Sequence, residues 1–209
     1  MTALLLDDLR RHSDILRLRS GKCLTLRFVE PDDAEALQGY FRSLSTRSRY
    51  NRFLGAISEL PHGELEHFIH PGEDDRFSVI ATTSTDGREI IVGEARYSLS
   101  TDMAAFEFGL SIDDRWQRQG IGSTLLANMH CRAAAFGAIS LFGDTLRSND
   151  AMIALARKSG FAFTRHPDDW KLVRFEKHIG TSPQEIHCAS WRLAAEQTLR
   201  HRATYPIFS

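Results

Sequence analysis

The chain has 209 residues, 42% apolar and 25% charged, with 26 Lys and Arg against 27 Asp and Glu. Such a composition supports a packed core, and the balanced charge leaves no electrostatic footprint for nucleic acid or an anionic membrane. No apolar run approaches the roughly 20 residues of a membrane span, MTALLLDDLRRHSD meets acids too early for a secretory leader, and three scattered cysteines (Cys23, Cys131, Cys188) point to reduced thiols in a cytoplasm.

The first twenty residues read as an amphipathic helix carrying Leu5, Leu9, Ile15 and Leu18, punctuated by Gly21. CLTLRFVE alternates as a strand should, and Pro31 opens a helix over DDAEALQGYFRSL with acids in its first turn. STRSRYNRFLG is basic and aromatic, open to helix or loop, and ELPHGELEHFIH predicts a short helix behind Pro61. FSVIAT and EIIVGEARYSL are strands around the polar turn STDGR. AFEFGLSI is the cleanest strand, followed by RWQRQGIGS and a helix closed by Gly137. AISLFGD is a strand, and Asn149 is suited to N-cap the helix DAMIALARKS before Gly160. FAFTR and WKLVRFEKHI are two more strands, and a C-terminal segment with a helical portion ends the chain. Strands interleaved with helices in this order predict a mixed α/β domain on one central sheet. Its expected bounds are 21–179, with a helical extension at 1–20 and another extension at 180–209.

RWQRQGIGS stands where a strand feeds a helix. A helix N-terminus presents unpaired N–H donors and the positive end of the macrodipole. With no side chain at Gly120 or Gly122, the amides of Arg118, Gln119, Gly120, Ile121, Gly122 and Ser123 can cradle a phosphate. The Lys–Ser/Thr pair of a P-loop is missing, and Leu125 occupies the place of a third dinucleotide-fold glycine. What remains is Q-x-x-G-x-G, formed by Gln117, Gly120 and Gly122.

That spacing resembles the acyl-coenzyme A signature of the GNAT acetyltransferase superfamily. The context resembles it too, with hydrophobic–x–x–x–Trp–Gln–x–x–Gly–x–Gly from Ile112 to Gly122, then Asn149 and MIALARKSGF. The resemblance covers about residues 23 to 178. The LAxxxGF form at 155–161, STRSRYNRFLG and HPGEDDRFSVIA look like the catalytic domain of bacterial protein-lysine acetyltransferases. It implies a mostly antiparallel sheet splayed at the cofactor site and acetyl-CoA as co-substrate. By the same resemblance the loop amides hold the pyrophosphate, helped by Gln117 and Asn149. Leu110 and Ile112 bond the pantetheine arm through their backbone, like an added strand, and the oxyanion takes a backbone N–H such as that of Leu110.

In FEFGLSI, Glu107, Gly109 and Ser111 share one face. Lysine, with a reference pKa near 10.4, is nucleophilic in only about one molecule in 10³ at neutral pH, so acyl transfer to it needs a base. A carboxylate screened by apolar neighbours suits that task. Glu107 matches the place where several GNAT enzymes carry such a glutamate, which makes it the expected base; a solvated side chain, or one paired with Arg96, is the other reading. Many members place a thiolate-protonating tyrosine where this chain has Ala156, so another donor or solvent must serve.

His62, His67 and His70 lack a paired i,i+4 ligand set, and no metal is expected. Arg42, Arg47, Arg49 and Arg52 suit an acceptor-groove wall or a cofactor phosphate, and equally a surface helix. The termini can cover a sheet edge or build a homodimer. The expected acceptor is a protein lysine or N-terminal amine; a small antibiotic-like or polyamine acceptor, and a non-catalytic acyl-CoA sensor, are the alternatives.

Overall fold

The computed structural model describes residues 13–18, 20–70, 76–100, 104–180, 186–193 and 195–196. The strands are β1 (Asp14–Arg17), β2 (Cys23–Phe28), β3 (Arg76–Thr85), β4 (Arg88–Ser100), β5 (Ala105–Ile112), β6 (Ser140–Leu146), β7 (Ala162–Arg165) and β8 (Leu172–His178). They form one sheet in the order β1-β2-β3-β4-β5-β6-β8-β7, antiparallel at every step but β5 to β6. The helices are α1 (Ala34–Ser43), α2 (Thr46–Phe53), α3 (His62–Ile69), α4 (Ile121–Ala135) and α5 (Asp150–Lys158). The expected mixed α/β architecture is the one observed, and the basic stretch left open between helix and loop is helix α2.

Two cores cover the two faces of the sheet. On one, Ile121, Leu125 and Met129 of α4 and Ala156 of α5 pack with Phe106 and Phe108 of β5. On the other, Leu37, Tyr40 and Phe41 of α1 and Phe68 and Ile69 of α3 pack with Ile80 of β3. The helices follow local chemistry. Ser45 caps α2 by accepting from the Ser48 N–H, Asn149 caps α5 by accepting from the Met152 N–H, and Gly160 ends α5 at φ +80°.

β5 and β6 pair only from Ala105 with Ser140 to Glu107 with Phe142. Beyond that, Phe108–Ile112 stay paired with β4 and Gly143–Leu146 with β8, but not with each other. The sheet therefore forks, as the splayed sheet required. Gly143 belongs to the narrow end of the fork: a Cβ there would lie 2.7 Å from the Phe108 carbonyl oxygen.

Two expectations are corrected. Residues 1–12 of the expected N-terminal helix lie outside the described residues, but Asp14–Arg17 are a strand on the β2 edge, Leu16 opposite Leu24. Pairing with the open β2 edge overrides the weak helical pattern, and the inward alternation of Asp14 and Leu16 has period two. The thiols are not all reduced either. Cys131 of α4 and Cys188 form a disulfide, Cα atoms 5.9 Å apart, while Cys23 is free and exposed. The C-terminal segment brings Cys188 there by docking: Trp191 is buried, and the Asp14 carboxylate accepts from the Ser190 hydroxyl, the Trp191 indole (3.0 Å) and the Asn128 amide (2.6 Å). Arg132 lies fully buried over the rings of Phe28 and Trp191, 4.7 and 4.2 Å from their centroids. Among the described residues no helix is long and apolar enough to cross a membrane.

Candidate active site

A cleft of about 790 Å³ opens along the fork. One wall is α2 with Arg47, Ser48, Asn51 and Arg52; the other is α5 with Met152, Leu155 and Lys158; Leu110, Ser111 and Ile112 of β5 form part of the lining. At its polar end stand Gln117, Arg118, Gly120, Gly122 and Ser123.

The polar end is built for an anion. Gly120 is the N-cap of α4 at φ +92°, and Arg118 is also left-handed at φ +60°. Left-handed residues at the mouth of a helix turn neighbouring N–H groups to one side, as in a nest. The first helical bond runs from the Thr124 N–H to the Gly120 carbonyl, and the amides of Arg118 to Ser123 donate to no acceptor among the described residues. Gly122 has a second role, because a Cβ there would sit 3.1 Å from Leu155 of α5. Arg47, Arg118 and Lys158 add positive charge to the lining.

Not every loop side chain reaches the cleft. Gln117 donates to the Ile112 carbonyl (3.1 Å), tying the loop to the end of β5. Gln119 folds back to the Arg115 carbonyl, and Ile121 is buried in the core, so these two offer the cleft only their amides. Asn149 lines the cleft, with its amide donating to Thr145 (3.0 Å) and its oxygen spent on the α5 cap. Asp114 anchors the opposite wall by accepting from the Ser45 N–H (2.8 Å) and from the Ser45 and Ser48 hydroxyls. Burial works against its charge, but those donors outweigh it and hold its pKa below the usual carboxylate range.

The trough along β5 suits an extended chain. The Asp113 N–H bonds the Val92 carbonyl on the β4 side. In an extended strand alternate residues direct their backbone polar groups to opposite sides, so those of Leu110 and Ile112 face the fork. The Leu110, Ile112, Met152 and Leu155 side chains supply apolar surface beside them.

Glu107 lies at the closed end of the fork, opposite Ser98 on β4 and Phe142 on β6. It is exposed rather than screened by its aromatic neighbours, because those neighbours point to the other face of β5. Arg96 is not its partner: that guanidinium donates to Glu64 at 2.8 Å and stacks on Phe68. The nearby cation is Arg174, whose pKa is raised first by its hydrogen bond to Asp144 and in smaller part by the charge of Glu107. Ala156, at the family's tyrosine position, is fully buried.

Glu94 was not singled out from sequence, and it joins Arg52 and Ser111 in one buried group. Glu94 of β4, 1% exposed, accepts from Arg52 Nε (2.5 Å) and Nη2 (3.1 Å) and from the Ser111 hydroxyl (2.6 Å), which also meets the Tyr40 hydroxyl at 3.0 Å. An acid set within the apolar stretch IIVGEA was the available signal. The basic stretch divides its labour: Arg42 pairs with Glu59, Arg49 caps the end of α1 through the carbonyls of Arg42 and Leu44, and Arg47 and Arg52 face the cleft. Among the described residues no group of three His, Cys, Asp or Glu is placed to hold a metal ion.

An anion nest joined by an extended trough can accommodate a phosphate-bearing, extended ligand. The family model of GNAT acetyltransferases matches residues 40–161. Acetyltransferase PA5475 of Pseudomonas aeruginosa is 26% identical over 152 residues, covering 73% of this chain and 82% of that protein. The fold is similar to the GNAT domain of S. lividans PAT, with a TM-score of 0.73 at 23% identity over 80% of this chain and 97% of that one. It is also similar to a GNAT acetyltransferase of Streptococcus pneumoniae, with a TM-score of 0.59 at 23% identity over 75% and 99%. The forked sheet, the glycine-opened nest and the family match over more than half of the chain have one conclusion: this protein belongs to the GNAT family and is an acyl-CoA-dependent N-acetyltransferase that acts on acetyl-CoA.

Proposed function

We propose that the protein acetylates a primary amine of another protein, a lysine or an N-terminus, by direct attack on acetyl-CoA with Glu107 as general base. The observation that carries this reading is the placement of Glu107 at the last β5–β6 pair, at one end of a strand whose other end leads into the open amides of Arg118 to Ser123. A co-substrate anchored there by its diphosphate would run along Leu110 and Ile112 with its acyl end toward Glu107. Gln117 and Asn149 would serve mainly by holding the two walls in place, and Arg47, Arg118 and Lys158 would face the phosphates.

Glu107 would take the proton of the incoming ammonium and leave a nucleophilic amine beside the thioester, so that positioning supplies most of the rate. With Ala156 buried and lacking a hydroxyl, coenzyme A would leave as a thiolate protonated by solvent. The protein acceptor is favoured by exposure: Glu107 stands on an open face of mixed charge, beside Arg174 and Glu176, rather than in a closed acidic pocket that would draw a polycation.

The test is a thermal-shift and thiol-release screen with acetyl-CoA against lysine peptides, free N-terminal peptides and polyamines. Stabilisation by acetyl-CoA with turnover on peptides is expected. Turnover confined to polyamines would move the acceptor to small molecules, and stabilisation without any turnover would favour a sensor.

A further inference from the structure

Arg52 is an unusual side chain to find in this cleft. It is 12% exposed and ion-paired with Glu94. Burial disfavours the cation, yet the Glu94 carboxylate outweighs it and raises the Arg52 pKa above its ordinary value. Buried ion pairs add little net stability against an apolar replacement of the same shape, so a pair that lines a reaction cleft invites a functional account.

The geometry supplies one. Nε and Nη2 are both committed to Glu94, which is itself held by Ser111 and, behind it, Tyr40. Nη1 donates to no acceptor among the described residues. It lies against the backbone of Gly109, where a Cβ would be 2.9 Å away, so the bare glycine lets the guanidinium settle on β5. Gly109 is two residues from Glu107 on the same face, which along a strand is roughly 7 Å. The free donor is therefore preorganised beside Leu110, one pleat from the carboxylate.

We propose that Arg52 donates its Nη1–H to the thioester carbonyl oxygen of acetyl-CoA and carries the negative charge that gathers there during attack. This rests on the reading of Glu107 as base. The amine lone pair forms the C–N bond and the carbonyl π pair moves onto oxygen beside Arg52. That pair then returns as the C–S bond breaks, sulfur keeping the bonding electrons. Glu107 keeps the first ammonium proton, and the second N–H proton of the adduct passes to solvent, which in turn protonates the thiolate. A charged donor already preorganised where the charge gathers stabilises it better than solvent that must reorganise around it.

The test is isotope-edited infrared spectroscopy of [1-¹³C]acetyl-CoA bound to the full chain, with thiol release to Nα-acetyl-lysine methylamide measured in parallel. In the unaltered protein the bound carbonyl stretch moves to lower frequency than in free acetyl-CoA. Arg52→Ala loses that shift and about 10²–10³-fold in kcat, and added guanidinium restores part of both. Because Arg52→Ala strands the buried Glu94 carboxylate and threatens the fold, Gly109→Ala is the second variant. It displaces the flexible end of Arg52 without removing the charge, and it too diminishes the shift. Glu107→Gln lowers turnover steeply but keeps the carbonyl shift, so the base and the donor fail separately. A carbonyl stretch unchanged between the unaltered protein and folded variants that bind acetyl-CoA overturns the proposal. So does an effect of Arg52→Ala confined to the KM of carboxylate-bearing acceptors, and so does acetyl-CoA that fails to bind at all.

Discussion

Glu107 is paired directly with Phe142, and past that pair β5 and β6 are no longer neighbours. The carboxylate thus occupies the vertex of the fork, the place where an arm lying along β5 must end. It is held there by strand pairing on both sides, from Ser98 and from Phe142, and not by a loop. Substitution of the side chain should leave that backbone intact. We expect Glu107→Gln to lower kcat by about 10²–10⁴-fold while the Kd for acetyl-CoA, measured by calorimetry, stays at its original value. A variant that keeps full turnover would remove Glu107 from the chemistry.

The two loop glycines should fail differently. Gly120 needs its left-handed φ of +92° but has open space where a Cβ would go, so Gly120→Ala should cost about 1–2 kcal/mol of backbone strain. Gly122→Val instead presses on Leu155 and crowds the open amides. Its expected effect is acetyl-CoA binding weakened at least ~10-fold, about 1.4 kcal/mol, with a smaller change in unliganded Tm. Calorimetry and thermal denaturation with and without acetyl-CoA separate the two.

His130 of α4 should make the fold acid-sensitive near neutrality. Burial first, then the charges of Lys177 and His187, hold its pKa below the ordinary 6.5. The unfolded chain therefore binds this proton at a higher pH than the folded one. The associated stability is fully present above pH 6.5 and is lost as pH falls from there through the folded pKa. His130→Gln should show a smaller drop in Tm between pH 7.5 and 5.5 than the unaltered protein. An equal drop would mean that other groups account for the acid sensitivity.

The Cys131–Cys188 bond closes a loop over a sequence separation of 57 residues. A loop of that length corresponds to about 4 kcal/mol of unfolded-state entropy. Reduction, or Cys131→Ser, should lower Tm by a margin visible in calorimetry and expose the C-terminal segment, with Trp191 fluorescence as the local probe. A Tm insensitive to reductant would mean that Asp14, Arg132 and Trp191 hold the segment unaided.

The elements and much of the site were legible because they are written in local chemistry. Alternation marked β5, a glycine pair marked the mouth of α4, and Asn149 marked the start of α5. Each signal comes from residues within a turn or two of one another, where backbone sterics and orphan amides dominate. The N-terminal strand was misread because its four residues make sense only against the edge of β2, an edge that no local pattern reveals.

By itself the sequence determined the mixed α/β fold and the glycine-opened nest, since glycine conformations and hydrophobic periods act over a few residues. The fork was expected only through the family resemblance. Tertiary structure alone decided that Arg52 meets Glu94 across 42 positions, that Cys131 meets Cys188, and that Glu107 stands exposed at the vertex and apart from Arg96. Such pairings depend on which faces pack together. That choice is made by the summed burial of the two cores, to which the partners' own positions in the chain give no clue.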